Sequence, residues 1–314
     1  MGQGIGVGAL PANLGAMFLN FSTVFQTAFA SAPSFVDRVA MTVPSTSRAT
    51  LHGWMDKMPD VREWIGPRVI QNAKLQRRLI ENKKYELTIG IPEDDIEDDQ
   101  VGLYTPQVQM MGQSMAQFAD KQIAALINAN PLAYDGKPFW AEDHPVNTYD
   151  SGMGTQSNIV DGPLSEDTWE EALATMAEFM GADGNAMGIL GTALMVPTRL
   201  QGTARRIMNG AFYPKLVAGG TLGDGDVGVQ ANIWQGSGDV IVNPWLKNQT
   251  RAYVLALGSP IRPFVHQVRR ATRFTNLVNP TDPNVFWNGQ FVMGADRRDA
   301  FDVTMPWLAV RIGA

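Results

Sequence analysis

Six carboxylates crowd into the segment IPEDDIEDDQ, residues 91–100; they are Glu93, Asp94, Asp95, Glu97, Asp98 and Asp99. Like charges this close repel one another unless a metal ion, a helix end or a basic protein surface lies beside them. An EF-hand loop requires alternating acids with a glycine at the sixth position and a glutamate at the twelfth, and DDIEDDQVGLYT lacks that register. A two-metal catalytic site takes its carboxylates from separate, converging elements. A divalent-metal-binding enzyme that uses residues 93–99 is therefore the alternative hypothesis, not the leading one.

Other candidate catalytic groups are sparse. The chain has no cysteine, which excludes disulfides and cysteine nucleophiles, and its three histidines never form an i, i+4 pair. Asp143 and His144 are adjacent, a geometry that seldom lets the aspartate orient the imidazole, so we expect a structural turn there. Trp54 and Trp64 are typical of apolar contact with a neighbouring chain. The sequence predicts no catalytic residue, no cofactor and no metal.

A basic block directly precedes the acidic cluster. Residues 62–84 contain two glutamates and seven basic residues, which are Arg62, Arg68, Lys74, Arg77, Arg78, Lys83 and Lys84. A helix N-terminus stabilises nearby acids by roughly 0.3–1 kcal/mol each, which accounts for only some of the cluster. Two interpretations stay open: separate solvated faces, or complementary surfaces between subunits. The second predicts intersubunit contacts at Arg62, Arg68, Arg77, Arg78, Lys83, Lys84, the six acids, Trp54 and Trp64.

The composition indicates a folded protein with an acidic surface. The chain has 314 residues, of which 45% are hydrophobic, a net charge of −6 and a pI near 5.1. This length and apolar content suffice for one large core or two smaller ones. Broad binding of a phosphate backbone needs a basic footprint, so the charge argues against that function.

Apolar periodicity predicts the elements that position the cluster. Five residues recur at helical spacing and predict an amphipathic helix on a partner surface; they are Phe18, Phe21, Phe25, Ala28 and Phe29. The alternation in KKYELTIGIP predicts a half-buried strand before the acids. Thr105 as N-cap and Pro106 as the first helical residue begin the longest predicted helix, 106–128, about 35 Å long.

The second half of the chain predicts mixed α and β structure. Residues 130–163 are rich in turn formers and predict an irregular connection. Ser165 is expected to cap a helix with an apolar stripe of Trp169, Leu173, Met176 and Met180, followed by a buried strand in ILGTALMVP and a helix in TRLQGTARRIM. Residues 218–230 predict a Gly/Asp-rich loop. Five short, alternating strand-like runs follow in the last 75 residues.

Three segments resemble, in order and spacing, the major head subunit family of Mu-like bacteriophages. They are MTVPSTSRATLHGWMDKMPDVREWIGPRVI, KKYELTIGIPEDDIEDDQVGLYTP and YDGKPFWAEDHPV. The closing PFVHQVRR and FVMGADRRDAF look like that family's C-terminal strands, so the resemblance spans about residues 15–314.

This resemblance implies an α+β fold of the Hong Kong 97 type and a division of the chain. We expect an N-terminal arm at 1–45, an extended loop at 46–92, a peripheral domain at 93–150 with spine helix 106–128, an axial domain at 151–239, and peripheral return strands at 240–314.

The resemblance also implies function and partners. It predicts a major capsid protein without enzymatic activity, in hexamers and pentamers of an icosahedral shell assembled in the bacterial cytoplasm. The implied partners are scaffold, maturation protease, portal and, as an option, a decoration protein, around double-stranded DNA that is not tightly bound. A nanocompartment shell of the same fold is the nearest alternative.

Overall fold

Two sheets form the framework of the chain. The computed structural model describes residues 14–55, 75–98, 100–216, 227–279 and 281–313. The helices are α1 Leu14–Ser31, α2 Val36–Val39, α3 Glu93–Glu97, α4 Thr105–Ala116, α5 Phe118–Ala129, α6 Glu166–Glu178, α7 Gln201–Asn209 and α8 Pro283–Asn288. The strands are β1 Ala40–Pro44, β2 Ala49–Met55, β3 Leu75–Glu81, β4 Lys83–Pro92, β5 His144–Pro145, β6 Thr155–Gln156, β7 Ile159–Val160, β8 Ala193–Val196, β9 Phe212–Leu216, β10 Val227–Ala231, β11 Asp239–Val242, β12 Ala252–Leu255, β13 Phe264–Leu277, β14 Gln290–Val303 and β15 Ala309–Ile312.

The first sheet has the strand order β1-β13-β14-β4 and carries α1 and α4 on one face. Alternate residues of β4 and β14 point into this layer, which confirms the predicted half-buried strand. The predicted amphipathic helix is also present as α1, and its buried side chains pack on the chain's own α4 and sheet. Gly112 permits the close approach, because a Cβ there would lie 2.6 Å from the Phe25 carbonyl oxygen.

The second sheet has the order β11-β8-β12-β15-β7 and is covered by α6 and α7. Every residue of β8 and β12 is buried, as expected of strands packed on both faces. The predicted cap is confirmed: Ser165 accepts from the Thr168 amide, and the Thr168 hydroxyl accepts from the Ser165 amide. Met180 lies beyond this helix and is exposed.

The long predicted helix 106–128 is interrupted. It consists of α4 and α5, separated at Gln117. Arg297 Nη1 donates to the carbonyl of Met115 at 3.2 Å, and a side chain inserted into the carbonyl ladder is an established cause of helix breaks. Thr105 does not cap α4, because the chain enters helically from a 3-10 turn at Gln100–Tyr104 and Thr105 is itself helical.

Two further expectations are corrected by strand pairing. Residues 227–230 belong to β10, which pairs with β9, so the predicted loop 218–230 is wrong over that part; residues 217–226 lie outside the described chain. The expected short terminal strands include β13 and β14, which have 14 residues each. NVFW is helical within α8, which begins with Pro283, ends at Asn288 and is capped by Gly289 with φ +57.

The strands do not follow the predicted domain boundary between residues 239 and 240. Of the expected return strands, only those within 264–303 join the first sheet, whereas β12 pairs with both β8 and β15 in the second sheet. No helix in the described ranges is both long and apolar enough to cross a membrane.

Candidate assembly surface

The acidic cluster forms a short helix of its own. Glu93, Asp94 and Asp95 occupy the first turn of α3, where the partial positive charge of the helix end favours carboxylates. Ile96 is buried in the core and fixes the helix, and the Glu93 amide donates to the Gly289 carbonyl at 2.9 Å. The helix-end explanation therefore holds for α3, not for the longer helix that follows.

The acids of α3 have few partners within their own chain. The Tyr104 hydroxyl donates to the Asp95 carboxylate, and this hydrogen bond raises the pKa of Tyr104. Among the described residues no ion pair joins Glu93, Asp94, Asp95, Glu97 or Asp98 to a basic side chain. The same residues contain no group of three or more acids or histidines arranged to hold a metal ion. Asp99 lies outside the described chain.

The predicted basic contacts fall into three groups. Arg62, Arg68 and Trp64 lie outside the described residues, and the Trp54 backbone pairs with Gln76 in the hairpin of β2 and β3. Arg77, Lys83 and Lys84 are exposed. Arg78 is already engaged within its own chain, where it forms a two-pronged ion pair with Asp302 and donates to the Leu132 carbonyl. The intersubunit role of all these residues stays a prediction.

A polar network fastens the base of the β2–β3 hairpin to the first sheet. His52 Nε2 lies 2.6 Å from Gln267 Oε1, and Gln267 Nε2 donates to Asn82 Oδ1 at 2.8 Å. Ile80 is buried in the same contact. On the opposite face of the hairpin, Leu51 and Leu79 are cross-strand partners with 56% and 67% of their surface exposed. The hairpin thus has one anchored face and one uncovered apolar face.

A buried ionic group lies on the helix side of the same sheet. Arg297 contacts Asp299 through Nε, and His266 Nε2 lies 3.3 Å from both Asp299 Oδ2 and Arg297 Nη2. The guanidinium also stacks over Phe118, 5.3 Å from the ring centre. Since Arg297 also binds Met115, this group joins the sheet to the junction of α4 and α5.

Asp143 and His144 hydrogen-bond to different partners, which fits the predicted structural turn. Asp143 pairs with Lys137, which lowers the pKa of that carboxyl. The imidazole is instead held by Asp135, whose Oδ2 lies 2.6 Å from His144 Nδ1, and by the Phe139 carbonyl. The histidine is buried, and its two hydrogen bonds hold the irregular segment together.

Sequence reasoning missed two basic residues that strand register brings beside Lys84. They are Arg298 and Arg270, its neighbours across β14 and β13. No spacing along the chain connects residues about two hundred positions apart. The only available signal was the strand alternation, which assigns Arg298 to the sheet face opposite the buried Arg297.

The architecture matches that of known capsid proteins. The chain superposes on one from the procapsid of bacteriophage JBD30 with a TM-score of 0.60 at 24% identity, covering 98% of this chain and 76% of that one. A chain from the capsid of an empty GTA particle gives a TM-score of 0.53 at 13% identity, with 89% of each chain covered. The fold is therefore the α+β Hong Kong 97-type capsid fold.

The sequence match is more specific than the fold. The family model of the Mu-like prophage major head subunit gpT matches residues 14–169, 160–246 and 247–312, and the chain belongs to that family. It is 38% identical over 156 residues to the major capsid protein of Escherichia phage Mu, and 34% identical over 150 residues to the Mu-like prophage FluMu major head subunit of Haemophilus influenzae. These alignments cover 48% and 46% of this chain, and span about half of each relative, 51% and 49%.

Proposed function

We propose that this chain is the major capsid protein of a Mu-like phage or prophage and assembles into the icosahedral shell that encloses the genome of a tailed virion. The observation that carries this proposal is the family match, which extends over residues 14–312 on a Hong Kong 97-type fold. The role is structural and not enzymatic. The subunits associate with one another through many weak contacts, whose charges set the register and suppress wrong pairings.

The parts of the fold have proposed roles in the shell. Residues 1–45 are the arm, 46–92 the extended loop, 93–150 the peripheral domain with its interrupted spine helix, and 151–239 the axial domain. Residues 240–314 contribute to both domains, which the pairing of β12 with both β8 and β15 supports. The anchored base of the β2–β3 hairpin and its uncovered Leu51–Leu79 face suit a loop that covers a neighbouring subunit.

The partners follow from this role. Copies of the chain form hexamers and pentamers, and scaffold, maturation protease, portal and an optional decoration protein act during assembly. The net charge of −6 supports enclosure of double-stranded DNA without tight binding.

Electron microscopy of the purified chain, expressed alone and with its cognate scaffold and protease, tests the proposal. We expect closed shells of uniform diameter, which sediment as a fast species in analytical ultracentrifugation. Only monomers or small oligomers under both conditions would refute it. Nuclease-protected DNA in shells recovered from phage identifies a capsid, whereas an enclosed enzyme identifies a nanocompartment instead.

The charge contacts have a separate test. Replacing Asp98→Lys together with Asp99→Lys is expected to leave the subunit folded by circular dichroism and to block shell formation. The matched control is Asp167→Lys with Glu170→Lys, which reverses two acids of α6. Normal particles from the first double variant would exclude a registering role for those acids.

A further inference from the structure

Three basic side chains form a row across the outer face of the first sheet. Lys84 of β4 is the direct partner of Arg298 of β14, which in turn is the partner of Arg270 of β13. Direct partners in a regular antiparallel ladder, such as Lys84 and Arg298, project on the same face with Cβ atoms about 4.5–5.5 Å apart. The ladder is irregular on both sides of Arg270, but Arg270 pairs with Asp296, two residues from Arg298 on the same face of β14. Arg297 is buried on the helix side, so its neighbour Arg298 and the row lie on the side away from α1 and α4.

The row is poorly compensated within the chain. Asp296 and its partner Glu86 lie two residues along from the row on the same strands, and Asp296 is already shared by Arg270 and Arg273. Neither Lys84 nor Arg298 forms an ion pair with any residue of the described ranges. The Nε atoms of Arg270 and Arg298 are buried and lack a hydrogen-bond partner there. Like charges directly opposite in a sheet destabilise it, so this arrangement calls for an external anion.

The chain's own acidic helix cannot supply that anion. On β4 the row lies at Lys84, whereas α3 follows Pro92, which pairs with Gln290 at the other end of β14. Eight residues of extended strand hold the two features roughly 27 Å apart. The β2–β3 hairpin lies over the next part of the sheet, at Gln267 and Asp302. Its Glu81 is paired with Arg48, and in the described ranges no ion pair joins the hairpin to the row.

We propose that the row Lys84–Arg298–Arg270 binds the acidic helix α3 of a second copy of this chain. The row has an excess of positive charge, and α3 has an excess of carboxylates without cationic partners in the described chain. Asp94, Glu97 and Asp98 are exposed and therefore available. Because each copy carries both surfaces at separate places, the contact is head-to-tail and repeats from copy to copy. The inference rests on the proposed shell function and identifies one contact within it.

Charge reversal and rescue test the contact. Arg298→Glu is expected to leave the subunit folded and to raise the protein concentration needed for assembly about tenfold or more, the usual scale for a misplaced interfacial charge. Adding Asp94→Arg and Asp98→Arg to the same chain is expected to restore assembly, because both sides are then reversed. Arg205→Glu is the matched control: it makes the same charge change on exposed α7 and is expected to assemble normally. The proposal is overturned if Arg298→Glu assembles at the wild-type concentration. It is also overturned if the combined variant fails to assemble although the chain with Asp94→Arg and Asp98→Arg alone is folded.

Zero-length carbodiimide cross-linking gives a direct readout, since Lys84 is the only lysine of the row. Wild-type subunits labelled with ¹⁴N and ¹⁵N are mixed, assembled and cross-linked, and the peptides are analysed by mass spectrometry. We expect peptides of mixed isotope that join Lys84 to residues 93–98. The proposed contact is overturned if Lys84 in assembled shells cross-links to other residues or to none. It is also overturned if the cross-link disappears only when DNA is present, because the row then binds phosphate. Wild-type protein that forms no shell refutes the proposed function instead.

Discussion

Removing Arg297 while Asp299 remains tests whether the buried ionic group holds the peripheral sheet together. Arg297 is 6% exposed and Asp299 is fully buried, with one carboxylate oxygen bound by Arg297 and the other without a partner in the described chain. In Arg297→Met the apolar stem is retained, but Asp299 becomes a buried charge without its cation. Such a change costs about 3–5 kcal/mol, a large part of a typical stability of about 5–15 kcal/mol.

A double variant that also neutralises Asp299 shows whether the lost stability is electrostatic. Arg297→Met with Asp299→Asn removes both charges, and we expect it to recover at least about 2 kcal/mol of the lost stability, because an uncompensated charge costs more than an unpaired neutral amide. Arg298→Met is the matched control: it is the same substitution one residue along, on the partly exposed face, where we expect a change within about 0.5 kcal/mol.

Urea unfolding of unassembled subunits, followed by tryptophan fluorescence, provides the measurement. The free energy of unfolding is compared for the wild type, both single variants and the double variant, and their coupling energy is taken from the cycle. A loss below about 1 kcal/mol for Arg297→Met, or equal losses for Arg297→Met and Arg298→Met, would refute the reasoning.

Three further substitutions probe other contacts. Asp120→Ala removes the acceptor for the Val36 amide and two neighbouring donors and is expected to cost about 1–3 kcal/mol in urea unfolding, with Asp120→Asn less damaging because it keeps an acceptor oxygen. Burial opposes ionisation of Asp296, but two arginines outweigh it and lower the pKa of this carboxyl. Ionised Asp296 therefore stabilises the fold fully above the usual carboxyl pKa near 3.9, and this contribution is lost as the pH falls through the lowered value. Asp296→Asn is expected to flatten the acid limb of a stability–pH curve below about pH 4. Gly112→Ala is expected to weaken hydrogen-exchange protection of α1, because the added Cβ would meet the Phe25 carbonyl oxygen, even though alanine has the better helix propensity. The control is Gly202→Ala, where nothing lies within 4 Å of the added Cβ, and it is expected to stabilise α7.

The sequence predicted the elements whose signals are local. The phenylalanine spacing of α1, the alternation of β4 and the Ser165 cap each report on one short segment, and all three are confirmed. The interruption at Gln117 was not predictable, since Arg297 comes from a strand 180 residues further along. Likewise the neighbours of Lys84 depend on strand order, which periodicity does not encode. Capsid function rested on the family resemblance, because no residue pattern in the chain specifies assembly.

Ionic contact between copies suits the proposed shell, in which one chain would form both pentamers and hexamers. A head-to-tail contact closes into a ring only if its rotation matches the ring size, so the same surfaces have to accept two slightly different angles. Interlocked apolar side chains tolerate this poorly, because a gap of 0.5–1 Å already forfeits about a quarter to a half of the dispersion energy. The Coulomb energy of an ion pair falls by only about a fifth when the separation grows from about 4 to 5 Å. The row Lys84–Arg298–Arg270 and the exposed acids of α3 therefore form a contact that stays favourable at both angles, while the rigid strand β4 fixes the distance between the two surfaces on each copy.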